Sequence, residues 1–442
     1  MNINKISIVT LGCSKNEIDS ELMMSILKDR NYTITNSLNE SDLIIVNTCG
    51  FIDKAKEESI EAIWEMTRYK KTGNCKYLIL SGCLAERYSK ELLDEIPEVD
   101  GIIGTGNIKD IASIIDNLNK SKERITKVGN INEQYLEGIK RISFNPTEYV
   151  RISEGCNNYC TYCIIPKLRG KYRSRRMDDI IKEVKYLADN GVKEVILIGQ
   201  NTSDYGIDLY GQYCLDKLLD RLNNIDGIKW IRILYLYPDN FTDDLIRSIR
   251  DNEKIVKYVD IPLQHINNRI LKKMNRRTTR EDIISLINKL RKEIPGIVIR
   301  TTFIVGFPGE TDEDFNDLVD FIKEIKFEKL GVFTYSREEG TPAYNLPKQV
   351  PEEVKEFRRD RIMEIQREIS EKIMADNVGK TITVLIEEEI EKNTYIGRSY
   401  MDSPDIDGIV YVNSRTNLEL GSFVKVKIID SLEYDLIGEV IQ

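Results

Sequence analysis

Short apolar runs alternate with longer stretches carrying an apolar residue every three or four positions through the first quarter of the chain. The runs are 6–11, 43–46, 77–80 and 102–103, and the helical spacing covers 20–28, 55–69 and 108–118. Apolar strands alternating with amphipathic helices predict an α/β domain with a doubly wound parallel sheet, because strands without a polar face need helices on both sides. This domain is expected over 1–120, followed by a polar, charged linker over 121–140. From 141 to 375 the alternation resumes, with strands expected at 149–153, 195–198, 230–234, 258–261, 298–305 and 331–334. Helices such as 177–188, 279–293 and 313–325 lie between them. Six such units make a partial (β/α)6 barrel, short of the eight-stranded closure. Residues 351–375 read as one long charged helix opened by Pro351. After Gly379 the period changes to two, over 381–386, 408–412, 423–428 and 435–440. That predicts a small antiparallel β-barrel over 376–442.

Eight cysteines turn this fold into a chemistry. Three of them stand in Glu154-Gly155-Cys156-Asn157-Asn158-Tyr159-Cys160-Thr161-Tyr162-Cys163, just after the first strand of the second domain. Intervals of four and three would also put three thiols on one helical face, and free cysteine is a common core residue. Gly155, the two asparagines and Pro166 favour a loop instead. Three thiolates from one loop suit an iron–sulfur cluster, since soft sulfur matches iron. On a four-iron cluster they leave one iron open to a substrate or cofactor. A second trio follows successive strands of the first domain: Cys13 in Leu11-Gly12-Cys13, Cys49 in Asn47-Thr48-Cys49-Gly50, and Cys83 in Ser81-Gly82-Cys83. The carboxyl edge of a parallel sheet is where ligands bind, so these three either meet at a second cluster or are buried thiols at strand ends. Cys75 and Cys214 have no such context and read as structural.

Bulk properties narrow the classes further. No apolar run reaches membrane length, and the first residues lack a signal-peptide layout, so a cytoplasmic address with reduced thiols is expected and no membrane partner. His265 is the one histidine, which disfavours histidine metal sites and Ser-His-Asp hydrolysis; it reads as a packed, hydrogen-bonded residue. Net charge is −9, and residues 376–442, with 13 acidic and 6 basic side chains, account for −7 of it. A strongly acidic module repels phosphates, which makes nucleic acid a poor candidate substrate.

The C-x3-C-x2-C motif resembles the signature of the radical S-adenosylmethionine (SAM) superfamily. The full domain order, with the second cysteine trio and a terminal β-barrel like a TRAM domain, resembles the methylthiotransferases. Ile198-Gly199-Gln200-Asn201-Thr202-Ser203-Asp204-Tyr205-Gly206, Pro262-Leu263-Gln264-His265 and Ile304-Val305-Gly306-Phe307-Pro308-Gly309-Glu310-Thr311 also fit that family. The resemblance implies two [4Fe-4S] clusters, one on Cys156, Cys160 and Cys163, the other on Cys13, Cys49 and Cys83. It implies SAM bound near Tyr162, Gln200, Gly306 and Glu310, no catalytic side chain beyond the cluster ligands, and a reductant protein as electron donor. Thr311 with Asp314 also reads as a helix capping box, so part of that stretch is structural. One branch of the family modifies a tRNA adenosine; the other modifies the β-carbon of an aspartate in the twelfth small-subunit ribosomal protein. Leu11-Gly12-Cys13-Ser14-Lys15-Asn16-Glu17 and the acidic C-terminal barrel resemble the second branch. Lys15 then reads either as a contact for the substrate carboxylate or as a solvated lysine.

Overall fold

A computed structural model of the chain describes residues 3–121, 123–133, 137–138 and 140–441. Its N-terminal part is a six-stranded sheet, parallel throughout, made of β1 (Lys5–Thr10), β2 (Thr33–Ile34), β3 (Leu43–Thr48), β4 (Tyr77–Ser81), β5 (Gly101–Ile103) and β6 (Ile125–Lys127). The strand order is β2-β1-β3-β4-β5-β6, so successive connections run in opposite directions from β1, and a topological switch point falls between β1 and β3. β3 is buried at every residue, as a central strand covered on both faces must be.

Three details differ from the expectation. β2 and β6 are too short and polar to register as apolar runs, and β6 lies inside the stretch read as linker, where it pairs with β5. The first helix, Ser14–Asp29, begins six residues before its apolar spacing does. Its first turn is closed on Cys13, whose carbonyl accepts from the Asn16 and Glu17 amides.

The central part follows the predicted six strands: β7 (Thr147–Arg151), β10 (Glu194–Ile198), β11 (Trp230–Ile233), β12 (Tyr258–Asp260), β13 (Val298–Val305) and β14 (Lys329–Thr334). They form two parallel three-stranded sheets, β11-β10-β7 and β12-β13-β14, joined by a parallel bridge between Ile231 and Ile255. The result is an open (β/α)6 arc. Helices such as Met177–Asp189, Leu215–Asn223 and Arg280–Glu293 pack Val184, Leu218 and Leu290 onto its outer face, against Val195, Ile231 and Ile299. Two short strands, β8 (Ser153–Glu154) and β9 (Arg173–Ser174), pair antiparallel and clasp the ends of the loop that carries Cys156, Cys160 and Cys163.

The helix Glu352–Ala375 leads into a closed barrel of β15 (Thr381–Glu391), β16 (Thr394–Ser399), β17 (Val410–Asn413), β18 (Phe423–Ser431) and β19 (Leu436–Val440). Its pairings are antiparallel except at the seam of β17 with β19, which is parallel. β16 was not visible as an alternating run because Gly397 and Arg398 interrupt it, and Arg398 has a separate task. Its guanidinium reaches Glu194 of β10 at 2.7 Å, and Arg232 of β11 reaches the same carboxylate at 2.9 Å. Asp402 pairs with Lys329 at 2.6 Å, and Asp407 accepts from the Tyr258 hydroxyl at 2.6 Å. Thus part of the barrel's acidity docks it onto the arc, while Glu388, Glu389 and Glu391 remain exposed on β15. Among the described residues, no helix is long and apolar enough to cross a membrane.

Candidate active site

Cys13, Cys49 and Cys83 follow β1, β3 and β4, three adjacent strands flanking the switch point. Glycines let the loops close in. Gly12 has φ +91°, and a Cβ there would lie 2.7 Å from the Cys49 Cβ and 2.9 Å from its sulfur. Gly82 has φ +90° and packs on the Thr48 backbone in the same way. Cys13 immediately precedes the first helix, at the positive end of its dipole. Ser59 accepts from the Cys49 amide and donates to its carbonyl, fixing that loop. Burial pushes the Cys83 thiol up to about 12, Arg169 opposing it and the neighbouring Cys13 and Cys49 adding to it. Cys49 is raised for the same first reason. These thiols stay protonated until a metal displaces the proton.

The second trio sits on an irregular loop held from outside. The Cys156 amide donates to the Gly170 carbonyl, Thr161 donates to Met274, and Asn275 donates to the carbonyls of Asn158 and Tyr159. Gly155 has φ +73° and leaves 2.2 Å between its would-be Cβ and the Lys171 carbonyl. The segment is a loop, so the reading of three thiols on a helical face is set aside. Burial raises Cys156 to about 11 and Cys163 further, and the neighbouring Cys160 adds to both. The Tyr237 hydroxyl lies 3.9 Å from the Cys160 sulfur, with the Arg276 guanidinium 3.9 Å over the Tyr237 ring.

Among the described residues no three Cys, His, Asp or Glu side chains close around a single metal ion. A cluster spreads its thiolates over separate irons, so the fit rests on the donor set. The thiols of each trio lie near enough to act on one another, an arginine stands beside each trio, and glycines clear its backbone. Both sets fit a cluster on those grounds.

Between the trios runs a buried chain of ion pairs. Arg169 donates to Asp19 at 2.7 Å, to Asn16 at 2.9 Å and to the Cys83 sulfur at 3.7 Å. Arg151 reaches Asp19 and Glu154, both at 2.6 Å, and the Lys15 carbonyl. Gln200 donates to Glu154 at 2.9 Å, and its own oxygen is buried without a partner. Gln200 therefore stands where the two domains meet, two residues beyond β10. Tyr162 packs on Phe307, Ile270 and Tyr335, and burial raises its hydroxyl well above the usual value. Gly306, at φ +73°, lies against the Lys355 side chain. Glu310 accepts the amides of Gly306 and Phe307 on one oxygen, and its other oxygen forms a buried ion pair with Arg358 at 3.6 Å. Thr311 and Asp314 form the expected capping box. His265 is fully buried with Nδ1 accepting from the Asn267 amide. Cys75 and Cys214 are buried and donate to the carbonyls of Tyr77 and Gln212.

Sequence reading missed Asn16, Asp19, Arg151, Glu154, Arg169, Tyr237 and Arg276. The available signal was five basic residues within 169–176, directly after the cysteine loop. Such a run reads as a solvated face unless carboxylates from another domain are known to meet it.

Three family models match the chain: the Radical SAM superfamily over residues 150–322, the Uncharacterized protein family UPF0004 over 5–104, and the TRAM domain over 378–441. The chain is 53% identical over 439 residues to the Ribosomal protein uS12 methylthiotransferase RimO of Clostridioides difficile (strain 630), covering 99% of both chains. It is 53% identical to the protein of that name from Thermoanaerobacter sp. (strain X514), covering 99% of this chain and 100% of the relative. Among solved structures, the radical SAM methyltransferase TsrM from Kitasatospora setae superposes with a TM-score of 0.56 at 16% identity, over 78% of this chain and 77% of that one. The radical SAM enzyme OxsB superposes at 0.53 with 13% identity, over 83% and 56%. These two likenesses establish the fold alone.

Proposed function

The chain belongs to the RimO family of ribosomal protein uS12 methylthiotransferases, and from that membership we propose that it inserts a methylthio group at the β-carbon of an aspartate in uS12. It is a radical SAM enzyme, and its family uses SAM and [4Fe-4S] clusters. Cys156, Cys160 and Cys163 hold one cluster in this reading, and Cys13, Cys49 and Cys83 hold the other. When bound, clusters and SAM together supply the hydrogen-abstracting radical, the sulfur and the methyl group.

The residues of the chain do the positioning. β8 and β9 clasp the loop that presents Cys156, Cys160 and Cys163. Tyr162, Gln200, Gly306 and Glu310 line the SAM side of this reading: Tyr162 as an apolar wall, Gln200 through its free oxygen, Gly306 and Glu310 as the shaped turn after β13. No acid–base residue is assigned, because an unactivated β-carbon cannot be deprotonated at neutral pH.

One observation carries the reading: the two cysteine trios occupy facing domains joined by the buried chain Cys83–Arg169–Glu154, with Glu154 two residues before Cys156. Sulfur insertion needs two centres at one substrate, and the linked trios support that reading. The exposed Glu388, Glu389 and Glu391 suit a basic ribosomal protein, since complementary charge steers encounter. A reductant protein supplies the electron, and the cytoplasm is where such a target is met.

The deciding assay is anaerobic. Cluster-reconstituted protein, SAM and a reductant are incubated with uS12 in one vessel and tRNA in another, then analysed by mass spectrometry. A methylthio group on the uS12 aspartate is the expected result. The same group on tRNA, with uS12 untouched, overturns the proposal.

A further inference from the structure

Lys15 is a buried cation without an anion. Its side chain stands in the first turn of the first helix, two residues after Cys13, and the residue is 8% exposed. No carboxylate pairs with its ammonium among the described residues. It rests instead on the face of Tyr235, whose ring centroid lies 3.0 Å from Nζ. A desolvated ammonium gains about 2 kcal/mol from an aromatic face, less than burying an unpaired charge costs. Such a site is made whole by an anion arriving from outside.

The surroundings say where that anion comes from. Tyr235 holds φ +61°, a conformation that is strained for a tyrosine. It is kept there by its amide donating to Asp260 at 3.0 Å and its carbonyl accepting from the Thr202 amide at 3.0 Å. Strain maintained from both sides marks a ring set for a purpose. Two residues further on, Tyr237 approaches the Cys160 sulfur at 3.9 Å. The Lys15 carbonyl is gripped by Arg151, whose other nitrogen holds Glu154 beside the second trio. Lys15 is thus placed against both trios at once: it follows Cys13 on its own helix, and its ammonium meets Tyr235 and its carbonyl meets Arg151 of the central part.

We propose that Lys15, backed by Tyr235, binds the side-chain carboxylate of the target aspartate and so sets specificity for an acidic residue. This rests on the reading that the substrate is an aspartyl side chain of uS12. The carboxylate is bonded directly to the β-carbon, so a cation fixed on it also fixes the hydrogen to be removed. An adenosine offers no such group, so the same lysine selects against a nucleoside.

The test measures binding and so does not depend on turnover. The full chain, reconstituted with clusters and saturated with SAM without reductant, is titrated with uS12 bearing its target aspartate or asparagine in that place. Wild type prefers the aspartate form by about 30-fold, the scale of losing one partner of a buried charge pair. Lys15→Met binds the two forms alike, and Lys15→Arg retains a preference for aspartate. Iron content, the visible cluster absorption and circular dichroism, recorded for each variant, separate these outcomes from misfolding. An undiminished aspartate preference in folded Lys15→Met overturns the proposal, as does weakened SAM binding with the preference intact. Wild type that binds neither form of uS12 removes the substrate reading itself.

Discussion

The Arg169 guanidinium touches the Cys83 sulfur at 3.7 Å while donating to the Asp19 carboxylate at 2.7 Å, so one side chain of the central domain contacts both a candidate cluster ligand and the helix that follows another. Hydrogen bonds to cluster sulfurs set potential and affinity, and losing such an outer partner costs about 10–100-fold in metal affinity or activity. Arg169→Met is expected to show a loss in that range. It should also make the N-terminal cluster harder to reduce, because a positive donor on sulfur favours the more negative state. An EPR-monitored redox titration reads this directly; unchanged potentials for both clusters would show that Arg169 only joins the domains. Arg169→Lys keeps the charge but not the fork that reaches Asp19 and Asn16 together, and should lie between the two.

Cys49→Ala separates the two chemistries. Iron per chain is expected to fall by about half, since one of two four-iron clusters is lost. SAM cleavage persists, because Cys156, Cys160 and Cys163 lie on another domain. Methylthio product disappears. Full product formation by this variant, measured by mass spectrometry, would make the second trio structural.

Gly12→Ala tests the close approach of two strand-end loops. An L-residue at φ +91° costs roughly 1–2 kcal/mol, and the added carbon would meet Cys49 at 2.7 Å. The variant should load the central cluster normally and the N-terminal one poorly, which the two EPR signals distinguish.

Glu194 is fully buried between Arg232 and Arg398 and joins the barrel to the arc. Removing its charge leaves two buried guanidiniums short of a partner, so Glu194→Gln is expected to lose about 3–5 kcal/mol of stability at neutral pH. Burial alone would raise this carboxyl; the two arginines outweigh it and hold it below the usual range. Its contribution is therefore complete above its unfolded value, about 4.3, and is lost as pH falls through the lower folded value. Denaturant melts of the two proteins should differ most at neutral pH and converge in acid. A constant gap across that range would exclude the linkage.

The parts of this molecule that follow a period were legible from residues alone. β13 coincides with the predicted 298–305, and the helices Met177–Asp189 and Asp312–Ile325 differ from their predicted spans by a residue at one end, because an apolar face of fixed spacing has one way to be buried. The parts that escaped answer to partners far along the chain. β16 escaped because Arg398 serves Glu194, 204 positions earlier. The first turn of the first helix escaped because Lys15, Asn16 and Asp19 are buried as polar groups, on terms set by Arg151 and Arg169. The acidity of the last domain was counted correctly but located incompletely, since Asp402 and Asp407 face inward to Lys329 and Tyr258. The cysteine trios were legible for a different reason: their spacing and their place after successive strands are local facts.

The N-terminal domain grips the arc at both of its ends. Near β7 the grip is Asp19 with Arg151 and Arg169; beyond β14 it is Glu338 with Lys56 at 3.0 Å and Arg87 at 2.7 Å. A complete eight-stranded barrel would seal this side with backbone ladders that part only when the fold does. Here side chains make the seal: the buried ion pairs of Asp19 and Glu338, with the apolar contact of Cys83, Ile164 and Leu168 between the same two parts. A single charge-removing substitution at Asp19 or Glu338 therefore weakens this side of the molecule while every strand keeps its neighbours.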